Sequence, residues 1–176
     1  KSLERNLSCF FEMKKPRRIE HLQSEEPFSS DPYFRATNYS KNVFAGGFHK
    51  FSSWQKFATN PQFKIVLKND DKDGLCTFIV SLQTKYSARE KKRDEVGFGI
   101  FKFKNNERLD EKFLKKSQNQ VGNSGDSVER LPQVTKQFEL KPGKYIIVPF
   151  TERANQAGDF LLRIFSEKPS DLKAMV

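Results

Sequence analysis

Cysteine is nearly missing from this chain, which holds only Cys9 and Cys76. Two residues so far apart build no disulfide framework and no metal-type spacing. That excludes a disulfide scaffold and a zinc module, and it suits a reducing, intracellular compartment. Histidine is equally scarce, at His21 and His49. No apolar run approaches the ~20 residues that span a bilayer, and no signal-peptide pattern is visible. Apolar residues make up 36% of the chain, below the roughly 45–50% of an average globular protein. Phenylalanine offsets the shortfall, because 18 of the 176 residues are Phe and each aromatic ring buries a large area. The expectation is one folded domain with long polar loops. The chain opens on Lys1 rather than methionine and reads as a piece of something longer.

Negative charge is in short supply as well. The net charge is +10 and the sequence pI about 9.6, a surplus that favours anionic partners such as nucleic acid, acidic phospholipid or an acidic protein face. Charge alone does not choose among them.

Hydrophobic periodicity divides the chain near residue 45. Residues 1–44 show no sustained period, and Pro16, Pro27 and Pro32 interrupt any long helix or central strand. They read as an irregular extension with room for one short strand. Beyond it, apolar residues alternate. Phe63, Ile65 and Leu67 share one face of a strand, as do Cys76, Phe78, Val80 and Leu82. In VGFGIFKF, Val96, Phe98 and Ile100 line one face while Phe101 and Phe103 line the other. KYIIVPF and DFLLRIF are continuous apolar runs, the pattern of strands buried on both sides. DKDG, KPG and NQAGD punctuate the runs as turns. ERLDEKFLKKS predicts a helical turn or two, with Leu109 and Phe113 four apart, and QNQVGNSGDS reads as a flexible loop. Short strands joined by such turns predict an all-β, antiparallel sandwich.

Several of these blocks together resemble a known family. AGGF (Ala45 to Phe48), FATNPQFKI (Phe57 to Ile65), CTFIVSLQTK (Cys76 to Lys85), VGFGIFKF, FELKPGKYIIVPFT (Phe138 to Thr151) and AGDFLLRIFSEK (Ala157 to Lys168) occur in order. They are similar to the β-sandwich that forms the third domain of calpain cysteine proteases. The resemblance implies an eight-stranded antiparallel sandwich over residues 45–168, related in architecture to the calcium- and lipid-binding sandwiches of the protein kinase C type. Residues 1–44 would be the tail of the protease core and a linker, and 169–176 a C-terminal linker. It also implies a regulatory rather than catalytic role, linking calcium and anionic phospholipid to alignment of the protease core. The implied location is cytoplasmic, with membrane association when calcium rises. The protease core and other domains of the parent calpain would be its partners.

A cysteine protease needs a thiolate paired with an oriented histidine. Cys9 lies in SCFF, without the Gly and Trp context of the family's nucleophile, and Cys76 occupies a core-facing strand position. The surroundings of His21 and His49 match none of the family's catalytic motifs. No catalysis is expected from this chain itself.

Two charged stretches carry the functional candidates. In KNDDKDG, Asp70, Asp71 and Asp73 can offer three carboxylates to calcium, with carbonyls from Asn69 and Gly74. The competing reading is a solvated turn, since Asx residues and glycine favour turns and Lys68 and Lys72 dilute the negative potential. Glu152 and Asp159, before the closing strand, are further contributors to weigh. Any calcium site here is expected to be weak, about 10⁻⁴–10⁻³ M. In TKYSAREKKR, Lys85, Arg89, Lys91, Lys92 and Arg93 form a basic stretch suited to anionic lipid or to acid on a neighbouring domain. A nucleic-acid module would also need exposed aromatics. Most aromatics here alternate into strand faces, leaving Trp54 and Tyr86 as the exceptions, so no nucleic acid is expected.

Overall fold

A computed structural model describes residues 6–11, 33–35, 46–68, 74–84, 96–103, 107–125, 133–155, 160–166 and 171–175. They contain β1 (Asn6–Phe11), β2 (Tyr33–Arg35), β3 (Gln62–Leu67), β4 (Cys76–Thr84), β5 (Val96–Lys102), β6 (Gln120–Asn123), β7 (Gln133–Leu140), β8 (Gly143–Thr151), β9 (Phe160–Ser166) and β10 (Asp171–Met175). Two one-turn helices, α1 (Trp54–Phe57) and α2 (Glu111–Leu114), lie between strands. Sheet I has the order β2-β1-β9-β4-β7 and sheet II the order β10-β3-β8-β5-β6. The pairings among β3–β10 are all antiparallel, as the alternating pattern predicts. β1 adds antiparallel to β9, and β2 parallel to β1.

The strand faces follow the sequence. Phe63, Ile65, Leu67, Cys76, Phe78, Val80, Leu82, Val96, Phe98 and Ile100 meet Tyr145, Ile147, Phe160, Leu162 and Ile164 between the sheets. Burying each large side chain contributes about 1.5–3 kcal/mol of transfer free energy. The odd-face residues of β5 and β8, Phe101, Ile146, Val148 and Phe150, point the other way. Phe48, Phe57, Leu109 and Leu114 cover them. The central strands β5 and β8 are therefore buried on both faces, which is why YIIVPF within KYIIVPF is buried without a break. On β9, Phe160, Leu162 and Ile164 are buried while Leu161, Arg163 and Phe165 are half-buried.

Four features differ from the sequence reading or extend it. α2 forms where helical turns were expected, with the Asp110 carboxylate accepting from the Phe113 amide at 2.8 Å. QNQVGNSGDS is not all loop, since β6 pairs along β5 and the Ser124 hydroxyl accepts from the Phe98 amide at 2.9 Å. The Pro–Gly turn of KPG joins β7 in sheet I to β8 in sheet II, so these strands do not pair as a hairpin. β1, β2 and β10 lie outside residues 45–168, so the two sheets also draw on residues expected as extension and linker.

Candidate functional site

The strand directions place the two charged loops. β3 ends at Leu67 and β4 begins at Cys76, so the Asp-rich loop leaves and returns at the end of the sandwich where Leu67 pairs with Gly143 and Cys76 with Leu140. Asp70, Asp71 and Asp73 lie outside the described residues, as do Lys85, Arg89, Lys91, Lys92 and Arg93. The basic loop runs from the end of β4, where Gln83 pairs with Gln133 and Thr84 with Phe160, to the start of β5, where Val96 pairs with Thr151. The anchors of the two loops thus sit at opposite ends of β4. That strand has nine residues, which at about 3.3 Å per residue is roughly 27–30 Å.

At the first end, called here the Pro142 end, the exposed Lys68, Lys141 and Lys144 surround the loop's anchors. The Tyr145 hydroxyl fixes the Pro142 turn by donating to the Lys141 carbonyl at 2.6 Å. Burial, followed by the neighbouring Cys76, raises the Tyr145 pKa and keeps that donor protonated. Gly74 adopts φ +66°, the left-handed conformation that ends the loop before β4. Glu152, weighed as a companion to the Asp70–Asp73 cluster, is anchored at the other end: its carbonyl accepts from the Phe48 amide and its carboxylate lies 3.7 Å from Arg153 Nε. Asp159 lies outside the described residues.

At that other end, the Gly47 end, residues of AGGF and FATNPQFKI form a clamp. The Asn60 carboxamide accepts from the Gly46 amide at 2.9 Å and donates to the Gly47 carbonyl at 2.9 Å, with its side chain buried. A β-carbon on Gly46 would fall 1.7 Å from the Lys56 carbonyl oxygen, and Gly47 holds φ +71° against the backbone of Arg153 and Ala154. No other residue fits both positions. Phe48 then stacks on Phe150 at 4.6 Å. The signals were present as the Gly–Gly doublet and the Asn–Pro pair, but only the tertiary contact joins them.

Among the described residues, His49 does not meet the thiol of Cys76. His49 stacks on Trp54 at 3.8 Å on the outer side of sheet II, whereas Cys76 is buried between the sheets. Burial lowers the His49 pKa from 6.5, and Lys50 lowers it further. Trp54, one of the two aromatics expected to be available to a base, is half-buried and also packs edge-on against Phe57 at 5.5 Å. Tyr86, Cys9's side chain and His21 lie outside the described residues.

Comparison with known proteins agrees with this geometry. The family described as "Calpain large subunit, domain III" matches residues 35–165. The human calpain-2 catalytic subunit (Homo sapiens) is 34% identical over 153 residues, covering 78% of this chain and 21% of the relative. The chicken subunit (Gallus gallus) is 34% identical over 146 residues, covering 74% and 20%. The chain spans about a fifth of the length of these relatives. With the sandwich, its strand order along the sequence and the matched residues in agreement, the chain belongs to the calpain large-subunit domain III family.

Proposed function

We propose that this non-catalytic domain regulates a calpain-type cysteine endopeptidase through two charged loops that act separately, one at each end of the sandwich. The basic loop bearing Lys85, Arg89, Lys91, Lys92 and Arg93 docks on anionic phospholipid, each cation near the surface contributing about 1 kcal/mol. The Asp70–Asp73 loop works at the Pro142 end, as an electrostatic contact with the protease core or another domain of the parent. Calcium is at most a weak ligand there, since Lys68, Lys141 and Lys144 lower the negative potential that a divalent cation requires. In a cell the domain would be cytoplasmic and move to the membrane with its parent when calcium rises.

The observation that carries this reading is the placement of the loop anchors at opposite ends of β4. Two unit charges ~27 Å apart interact by about 0.15 kcal/mol in water, before screening over a Debye length of about 8 Å. Charges held near those anchors would exchange too little energy to regulate anything, so in this reading each loop has a neighbour of its own.

The test is sedimentation of the 176-residue chain with phosphatidylserine and with phosphatidylcholine vesicles across a salt series, beside binding to single-stranded DNA. Binding to phosphatidylserine that falls with salt and disappears in a Lys91→Glu, Lys92→Glu, Arg93→Glu variant is expected. Equal retention on DNA without lipid preference would favour a nucleic-acid module. Failure to bind either would leave a spacer between domains.

A further inference from the structure

Among the described residues, Phe51 and Leu75 are the exposed large hydrophobic side chains, Phe51 at 61%. They lie at opposite ends of the sandwich. Leu75 precedes Cys76 at the Pro142 end, whereas Phe51 belongs to the Gly47 end. There the Phe48 amide donates to the Glu152 carbonyl, and Thr151, the residue before, pairs with Val96. Val96 is where the chain leaving the basic loop enters β5. The turn that carries Phe51 and the anchors of that loop therefore share one end of the molecule.

The turn is closed by its own hydrogen bonds. The Phe51 amide donates to the Phe48 carbonyl at 3.0 Å, and the Ser52 hydroxyl to the Gly46 carbonyl at 3.0 Å. Ser53 then caps α1, its hydroxyl accepting from the Lys56 amide at 3.2 Å. The Phe48 ring is buried and stacked on Phe150; Phe51 meets it edge-on, with ring centres 6.1 Å apart. A phenyl group held in this way keeps most of its apolar surface in water, where it contributes little to folding. Its surroundings select the partner. Lys50, Ser53, Gln55 and Lys56 beside it are all exposed, so the apolar surface is one ring rather than the contiguous patch of a protein interface. A ring among polar side chains suits the boundary between lipid headgroups and acyl chains, which apolar side chains enter by roughly 5–10 Å. Cations near an anionic leaflet give docking that salt screens. An apolar group added to a basic patch makes such attachment firmer.

We propose that Phe51 inserts into an anionic phospholipid bilayer as an apolar anchor beside the basic loop, so that the Gly47 end faces the membrane. The inference rests on the lipid docking proposed above. It adds to that reading a residue, an orientation and a contact that salt does not screen.

The test is binding of the 176-residue chain to phosphatidylserine vesicles across a salt series, beside its Phe51→Ala and Phe51→Trp variants. The second variant also carries Trp54→Phe, which replaces the chain's single tryptophan and leaves one indole, at position 51. Phe51→Ala, at an exposed position, should keep its thermal midpoint and bind about tenfold more weakly, by a similar factor at every salt concentration. Lys91→Ala combined with Lys92→Ala should instead lose affinity mainly at low salt. On vesicles the indole emission should shift to the blue and be quenched by lipids brominated in the upper part of the acyl chain. Unchanged affinity in Phe51→Ala, with salt-dependent binding retained, would overturn the inference and leave the loop's docking intact. An indole that stays in water while the chain is bound would also overturn it, and would favour a protein partner for the ring. No binding by the unsubstituted chain would overturn both readings.

Discussion

Asn60 holds the backbone of Gly46 and Gly47 with a single carboxamide at a site only 1% exposed. Asn60→Ala leaves one buried N–H and one buried carbonyl without partners, at about 1–3 kcal/mol each. A stability loss of about 2–5 kcal/mol is expected in urea unfolding, with the denaturant slope unchanged. A loss below about 1 kcal/mol would mean that the clamp is fixed by the Phe48–Phe150 stack instead. His49 gives a second prediction at this scale. Its pKa is lower folded than its ordinary 6.5, so the unfolded chain binds the proton more readily. Its contribution to stability is therefore complete above about pH 6.5 and is lost as pH falls through that value toward the lower folded pKa. His49→Phe keeps a ring on Trp54 but cannot titrate. The midpoint of thermal unfolding should fall between about pH 7 and pH 5.5 more steeply in the unsubstituted chain than in this variant, and equal slopes would remove His49 as the cause.

Among the elements, β10 shows how a strand outside the expected boundary contributes. It covers the free edge of β3, and the Met175 carbonyl accepts from Arg108, whose guanidinium also donates to the carbonyls of Ala58 and Asn60. A chain ended at Lys168 loses that cover and exposes the β3 edge, a ready template for association. Lower thermal stability and concentration-dependent aggregation in size-exclusion chromatography are expected, and an unchanged monomer would argue that β10 is dispensable. The elements also mark what a sequence can disclose. The faces of β3, β4, β5 and β8 were legible because one strand's own alternation decides which side chains meet a core. β6 and β10 were not, because QVGN and DLKAM carry no strong period and owe their conformation to β5 and β3. The same limit applies to the site. The charged stretches are visible as composition, and the clamp's residues as motifs, but the bond from Asn60 to Gly46 spans fourteen positions and exists only once the sheets are formed.

At the scale of the whole molecule, nearly every connection between β3 and β10 passes from one sheet to the other; that of β5 to β6 stays within sheet II. The β3–β4 and β4–β5 connections therefore leave from opposite ends of β4, the first carrying the Asp70–Asp73 cluster and the second the Lys91–Arg93 run. Between these ends lies the packed body of the sandwich, with the core strands β5 and β8 buried on both faces. The central claim is that the two loops act independently in the isolated chain. The most direct measurement is a double-mutant cycle on phosphatidylserine vesicle binding, combining Lys91→Ala with Lys92→Ala as one change and Asp70→Asn, Asp71→Asn and Asp73→Asn as the other. The account predicts a loss of about 2 kcal/mol from the first change, little from the second, and additivity within about 0.3–0.5 kcal/mol. A coupling energy above about 1 kcal/mol, the range of groups in direct contact, would contradict it.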